Sequence, residues 1–121
     1  MLKWVKTTAD GLSVLPAGAM IDPTTPQPVA LITHGHADHA RSGHKHVIAT
    51  PQTLDIMAAR YGQDFARTVT PLAYGGRMMF GSAQLSMAPA GHVLGSAQII
   101  VEHAGQRLVA AGDFKLSLIH I

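Results

Sequence analysis

Val29, Ala30, Leu31 and Ile32 form an unbroken apolar run, the pattern of a short strand buried on both faces. Upstream, residues 3–8 and 12–15 are short apolar-leaning segments divided by Asp10-Gly11, a pair that tolerates positive φ and so favours a hairpin turn. Gly18 to Asp22 reads as a further short strand. Pro23, Pro26 and Pro28 then prevent regular pairing until Val29 to Thr33 resumes it. Val47 to Ala49 predicts a brief strand, and Thr50-Pro51 supplies a helix cap followed by proline at the first helical position. The helix is expected to run to about Tyr61 and to stop at Gly62, with Leu54, Met57, Ala58 and Tyr61 on one buried face. From Val69 onward the pattern changes to short strands broken by Gly75-Gly76, Gly81 and Gly91, with a period of two through Gln84, Leu85, Ser86 and Met87. Ala97 to Glu102 and Arg107 to Ala111 flank His103-Ala104-Gly105-Gln106, which reads as a hairpin loop. The expected class is α/β or α+β, rich in sheet, with a helix near 51–61.

Composition narrows this picture. A chain of 121 residues with 47% hydrophobic and 13% charged positions can bury one core, so one folded unit is expected. A formal charge of +2 permits an anionic partner without requiring one. With no cysteine, disulfides and thiolate metal sites are excluded, and any metal must be held by imidazole and carboxylate. The start lacks the pattern of a secretion signal, and no apolar run approaches the ~18 residues that cross a bilayer, so a cytoplasmic location without membrane partners is the expectation.

The candidate chemistry lies directly after the buried strand. The stretch LITHGHADHARSGH, residues 31–44, holds four of the eight histidines and an aspartate. Within His34-Gly35-His36-Ala37-Asp38-His39, a tight turn can fan the side chains around two neighbouring ions, and Gly35 and Ala37 keep bulk away from them. This donor set suits zinc first, with manganese or iron as alternatives. Gly91-His92 and Gly112-Asp113 also fall at predicted strand ends, where residues distant in sequence converge. A solvated histidine-rich stretch has no need of the embedded aspartate, and a core histidine occurs singly, so a specific metal site is the better reading. His44, His46, His103 and His120 do not share that context and are expected in surface or loop roles. Arg41, Lys45 and Arg77 read as solvated surface.

The HxHxDH pattern, followed by Ala90-Gly91-His92-Val93-Leu94-Gly95-Ser96-Ala97 and by Ala111-Gly112-Asp113-Phe114-Lys115, resembles the metallo-β-lactamase superfamily. Within it the chain is most similar to the β-CASP nucleases, in particular the bacterial ligase-associated DNA exonucleases, whose relatives include mRNA 3′-end processing factors. Leu15-Pro16-Ala17-Gly18 leading to Ile21-Asp22-Pro23 fits the same group. The resemblance covers about residues 1–115 and implies the N-terminal part of an αββα sandwich. It assigns His34, His36 and His92 to a first metal, Asp38 and His39 to a second, and Asp113 to a bridging position. Asp22 takes a supporting place behind the ligands, orienting a histidine. Asp38 and Asp113 are the implied catalytic residues.

Two divalent ions, zinc or manganese, acidify a water and offset charge building on a phosphodiester, and Asp38 is the implied proton acceptor. The implied function is a metal-dependent exonuclease acting on DNA, in functional association with a DNA ligase. RNA processing by the same branch, a small-molecule metallohydrolase of the same fold and an inactive metal-binding fragment are the alternatives. Family members continue past the aspartate motif into a cap domain and a late metal-binding histidine. Residues 116–121 do not resemble the family's sequence beyond that motif and are expected to be an atypical tail, so the activity is assigned to a longer parent chain.

Overall fold

A computed structural model describes residues 3–91 and 94–111, together with the backbone of 116–120. The chain opens with β1 (Val5–Thr7) and β2 (Leu12–Val14), paired antiparallel around the Asp10-Gly11 turn as expected. A single 3₁₀ turn at Leu15–Ala17 leads into β3 (Ala19–Ile21), which pairs antiparallel with β2.

The next pairing is less usual. β3 lies parallel to its sequence neighbour β4 (Val29–Leu31), although only residues 22–28 join them. Parallel neighbours ordinarily need a crossover of about a dozen residues. Strands of three residues require a return of only ~10 Å, which a proline-stiffened loop can span. Asp22 turns the chain with φ of 45°, and Thr24 N–H donates to the Asp10 carbonyl at 2.7 Å, laying the loop against the first hairpin.

β5 (His44–Ala49), α1 (Pro51–Tyr61) and β6 (Ala66–Pro71) come next as a unit with parallel outer strands, completing a six-stranded sheet in sequence order. Thr50 caps α1 by accepting from the Thr53 N–H, Pro51 starts it and Gly62 ends it. Its buried face is Thr53, Leu54 and Met57. Tyr61, expected inside, is exposed, because its hydroxyl is drawn to the Ala40 carbonyl at 2.8 Å.

A second, antiparallel sheet contains β7 (Arg77–Phe80), β8 (Ala83–Pro89), β9 (Ala97–His103), β10 (Gln106–Ala110) and β11 (Leu116–His120). The β9–β10 hairpin turns on Ala104 and Gly105 alone, both at positive φ, so His103 and Gln106 pair instead of joining the loop. Residues 116–120, expected as an atypical tail, add the edge strand of this sheet.

Alternation along β4 and β5 sorts side chains between two cores. Leu31 and Ile48 join Leu85, Met87, Ile99, Val101 and Leu108 between the sheets, whereas Ala30, Ile32, Val47 and Ala49 pack with Leu54, Met57 and Phe65 beneath α1. The result is a small, strand-rich α+β unit layered as helix, sheet and sheet. Among the described residues no helix is long and apolar enough to cross a membrane.

Candidate metal centre

β3 and β4 end side by side, which brings Asp22 next to Thr33 and His34. The Asp22 carboxylate accepts from the Thr33 backbone N–H at 2.8 Å and from the Thr33 hydroxyl at 2.5 Å. The positive φ at Asp22 is thus compensated by bonds to both polar groups of a buried residue. After His34 the chain folds into a turn in which His39 N–H and Ala40 N–H both donate to the His36 carbonyl, at 2.9 and 2.8 Å. That turn carries His39 back to Asp22, where Nδ1 lies 2.9 Å from the carboxylate.

One arrangement of protons satisfies all of these contacts. An ionised carboxylate only accepts, so His39 Nδ1 carries the hydrogen in this bond, and the Thr33 hydroxyl gives its hydrogen to Asp22. The Thr33 oxygen then accepts from His34 Nδ1, 2.8 Å away. In the neutral form of both rings the lone pair therefore sits on Nε2, the atom that ligates a divalent ion when Nδ1 is anchored. One carboxylate, directly and through one hydroxyl, orients two imidazoles. Ligand-capable atoms of Asp22, His34 and His39 all lie within 4.8 Å of one another.

The other residues of the turn are graded by depth. His34 is 2% exposed, and its ring centre lies 4.8 Å from that of His36 and 4.2 Å from that of His39. His36 is exposed at the lip. Asp38 is 73% exposed, with Oδ2 3.6 Å from His39 Nε2. Two imidazoles and the Asp22 carboxylate thus come together, a donor set that fits a hard or borderline divalent cation, while His36 and Asp38 stand at the lip outside that group. Asp22 stands within ligand reach, and its bonds to Thr33 and His39 also suit the supporting place expected for it.

His92 and Asp113, expected as ligands, lie outside the described residues. The described flank of His92 is tied to this rim. Ala90 N–H donates to the Ser96 carbonyl at 3.1 Å, and Ala97 N–H donates to the Thr33 carbonyl at 2.7 Å. Ala110, three positions before Asp113, pairs with Ile99 in the neighbouring strand.

Gly35 is required by packing, since a Cβ there would lie 2.8 Å from Ile56 Cγ2 on α1. Nothing in the sequence pattern marks Ile56, Arg60 and Tyr61 as neighbours of the turn. Arg60 donates to the Gly35 carbonyl at 2.6 Å.

His44 and His46 both lie in β5, where burial overturns the surface or loop role expected of His44, whereas His46 stays half-exposed at the surface. His44 is 1% exposed, because Gln27 N–H donates to its Nδ1 at 3.1 Å and burial holds the ring's pKa below 6.5. His46 is held by Thr68 and Thr70 and stacks on Phe80 with ring centres 6.1 Å apart. Neither joins the metal-competent group.

No family model matches the chain. Over 116 residues, 95% of its length, the chain is 29% identical to a protein of Opitutus terrae described as a probable DNA ligase. The match spans 11% of that relative.

Proposed function

We propose that this chain carries the metal-binding part of a hydrolase that cleaves phosphodiester bonds in nucleic acid, with the fold and chemistry of the β-CASP branch of the metallo-β-lactamase superfamily. The carrying observation is the Asp22-Thr33-His34 and Asp22-His39 network, which presents two histidine Nε2 atoms in the chemical state a cation needs. A network that serves stability alone has no reason to set two neighbouring rings in the same tautomer, with a third histidine and a second carboxylate at the lip. The HxHxDH resemblance and the layered α+β architecture support the fold assignment. The similarity to a probable DNA ligase supports nucleic acid as the partner and DNA as the first substrate to test.

On this reading His34, His36, Asp38 and His39, with His92 and Asp113, hold two divalent ions, zinc in the first instance. Bound there, such ions supply a Lewis acid and lower the pKa of water to near neutrality. Asp22 keeps His34 and His39 in one tautomer and one orientation, so no reorganisation is needed when charge develops. Asp38, exposed and close to His39 Nε2, would take the proton of the attacking water at Oδ2. His34 sits below the lip in the dry part of the site.

The experiment is hydrolysis of end-labelled single-stranded DNA and of the matching RNA by the protein that contains this segment, supplied with zinc or manganese. Cleavage is expected, abolished by chelator and by His34→Ala. Cleavage that persists in chelator contradicts the proposal, and preference for RNA moves the assignment to the RNA-processing side of the same branch.

A further inference from the structure

Helix α1 touches the histidine turn from its C-terminal end, although it supplies no candidate ligand. Arg60 donates from a guanidinium nitrogen to the Gly35 carbonyl at 2.6 Å. The Tyr61 hydroxyl donates to the Ala40 carbonyl at 2.8 Å. These two carbonyls bracket His36 to His39, so adjacent helix residues grip the turn at its entry and its exit. The Arg60 guanidinium carbon also lies 5.7 Å from the centre of the Tyr61 ring, which steadies both side chains.

The other end of α1 grips a different loop. Thr50 and Thr53 hydroxyls donate to the Gly95 carbonyl at 2.6 and 3.1 Å. A Cβ at Gly95 would lie 2.6 Å from Gln52 Cβ and 2.9 Å from the Thr53 nitrogen, so only glycine allows this approach. Gly95 comes three residues after His92 in the chain. Thr53, Ile56 and Arg60 have i, i+3, i+7 spacing and form one stripe facing the loops, while Leu54 and Met57 hold the helix to the sheet.

We infer that α1 is the positioning element of the metal centre, with Arg60, Tyr61, Thr50 and Thr53 as positioning residues that set the separation between the histidine turn and the loop at Gly95. The inference rests on the metal-binding reading of His34 to His39. Backbone carbonyls clamped to a rigid helix cannot drift, and ligand geometry must be held to about 0.5 Å for tight binding.

The test uses Arg60→Met, Tyr61→Phe and Thr53→Val in the 121-residue chain, with Arg60→Lys and Thr53→Ser as conservative rescues and Leu108→Ala as a control that loosens the core between the sheets. Zinc affinity is read by competition with a chelating dye. The cobalt form gives absorption bands sensitive to ligand geometry, and hydrogen exchange at the His39 and Ala40 amides reports the turn without metal. The clamp variants are expected to bind zinc ~10-fold or more weakly, to alter the cobalt bands and to exchange faster at those amides. Thr53→Ser is expected to restore wild-type affinity and Arg60→Lys to restore part of it. Affinity and exchange unchanged in all three clamp variants overturn the inference, as does a loss in Leu108→Ala equal to that in Arg60→Met. If the unaltered chain binds no zinc, the metal reading itself falls, an outcome distinct from wild-type binding that the clamp variants leave intact.

Discussion

The Asp22 carboxylate and His39 Nδ1 meet at 2.9 Å across seventeen residues of chain, while the same carboxylate accepts the Thr33 hydroxyl. Asp22→Asn places an amide where two donors now find an acceptor. To satisfy the amide, His39 must accept at Nδ1 and carry its proton on Nε2, where a cation is meant to bind. Zinc affinity is expected to fall about 10- to 100-fold, with the fold retained because Asn Oδ1 still accepts from the Thr33 N–H. Calorimetric titration with zinc checks the first point and far-ultraviolet circular dichroism the second.

Gly35→Ala inserts a methyl group into the 2.8 Å approach to Ile56 Cγ2, a branch atom close to the helix backbone that cannot swing aside. The strain is expected to cost ~1–3 kcal/mol in urea denaturation. In an Ile56→Ala background the obstructing atoms are gone, and the added methyl is expected to cost less than half as much. Equal costs in the two backgrounds would show that packing against α1 is not what selects glycine.

Burial of His44 makes a pH prediction with a definite sign. Its pKa in the folded protein lies below the ordinary histidine value of 6.5, because desolvation penalises the charged ring. As pH falls, the unfolded chain therefore takes up the proton first. The stability associated with neutral His44 is full above about pH 6.5 and is lost as pH drops through the folded-state pKa. His44→Asn keeps an acceptor for the Gln27 N–H and removes the titration. Its denaturation midpoint is expected to lose less on going from pH 7.5 to pH 5 than that of the unaltered chain.

Two methionines test the layer beneath the helix. Met57 is fully buried between α1 and the first sheet, whereas Met79 on β7 is 64% exposed. Met57→Ala is expected to cost ~2–5 kcal/mol. Met79→Ala is expected to stay within ~0.5 kcal/mol. Chemical denaturation of both, compared with the unaltered chain, decides it.

Local signals place α1 to the residue, because Thr50-Pro51 and Gly62 state its ends in their own backbone chemistry. The first hairpin and the burial of residues 30–32 are equally legible, with Val29 only partly buried. The parallel β3–β4 pair is not, since a seven-residue proline loop is ordinarily too short for such a crossover and succeeds only with strands of three residues. β5 begins at His44, three residues earlier than expected, because a polar side chain enters the core when a distant backbone amide satisfies it. The histidine turn is plain in sequence as a set of donors, but the Thr33 hydroxyl and the Arg60 and Tyr61 clamps depend on three-dimensional contacts that no spacing encodes.

Whether a specific metal centre exists is decided by zinc uptake in equilibrium dialysis, measured on the unaltered chain and on folded His34→Ala and His103→Ala variants. His103 is the control, since it sits at the far hairpin with Nδ1 near the Ser82 carbonyl. Saturable, stoichiometric zinc is expected in the unaltered chain and in His103→Ala, with its loss in His34→Ala. Zinc retained in His34→Ala, or lost equally in both variants, would contradict a specific centre built on the Asp22 network.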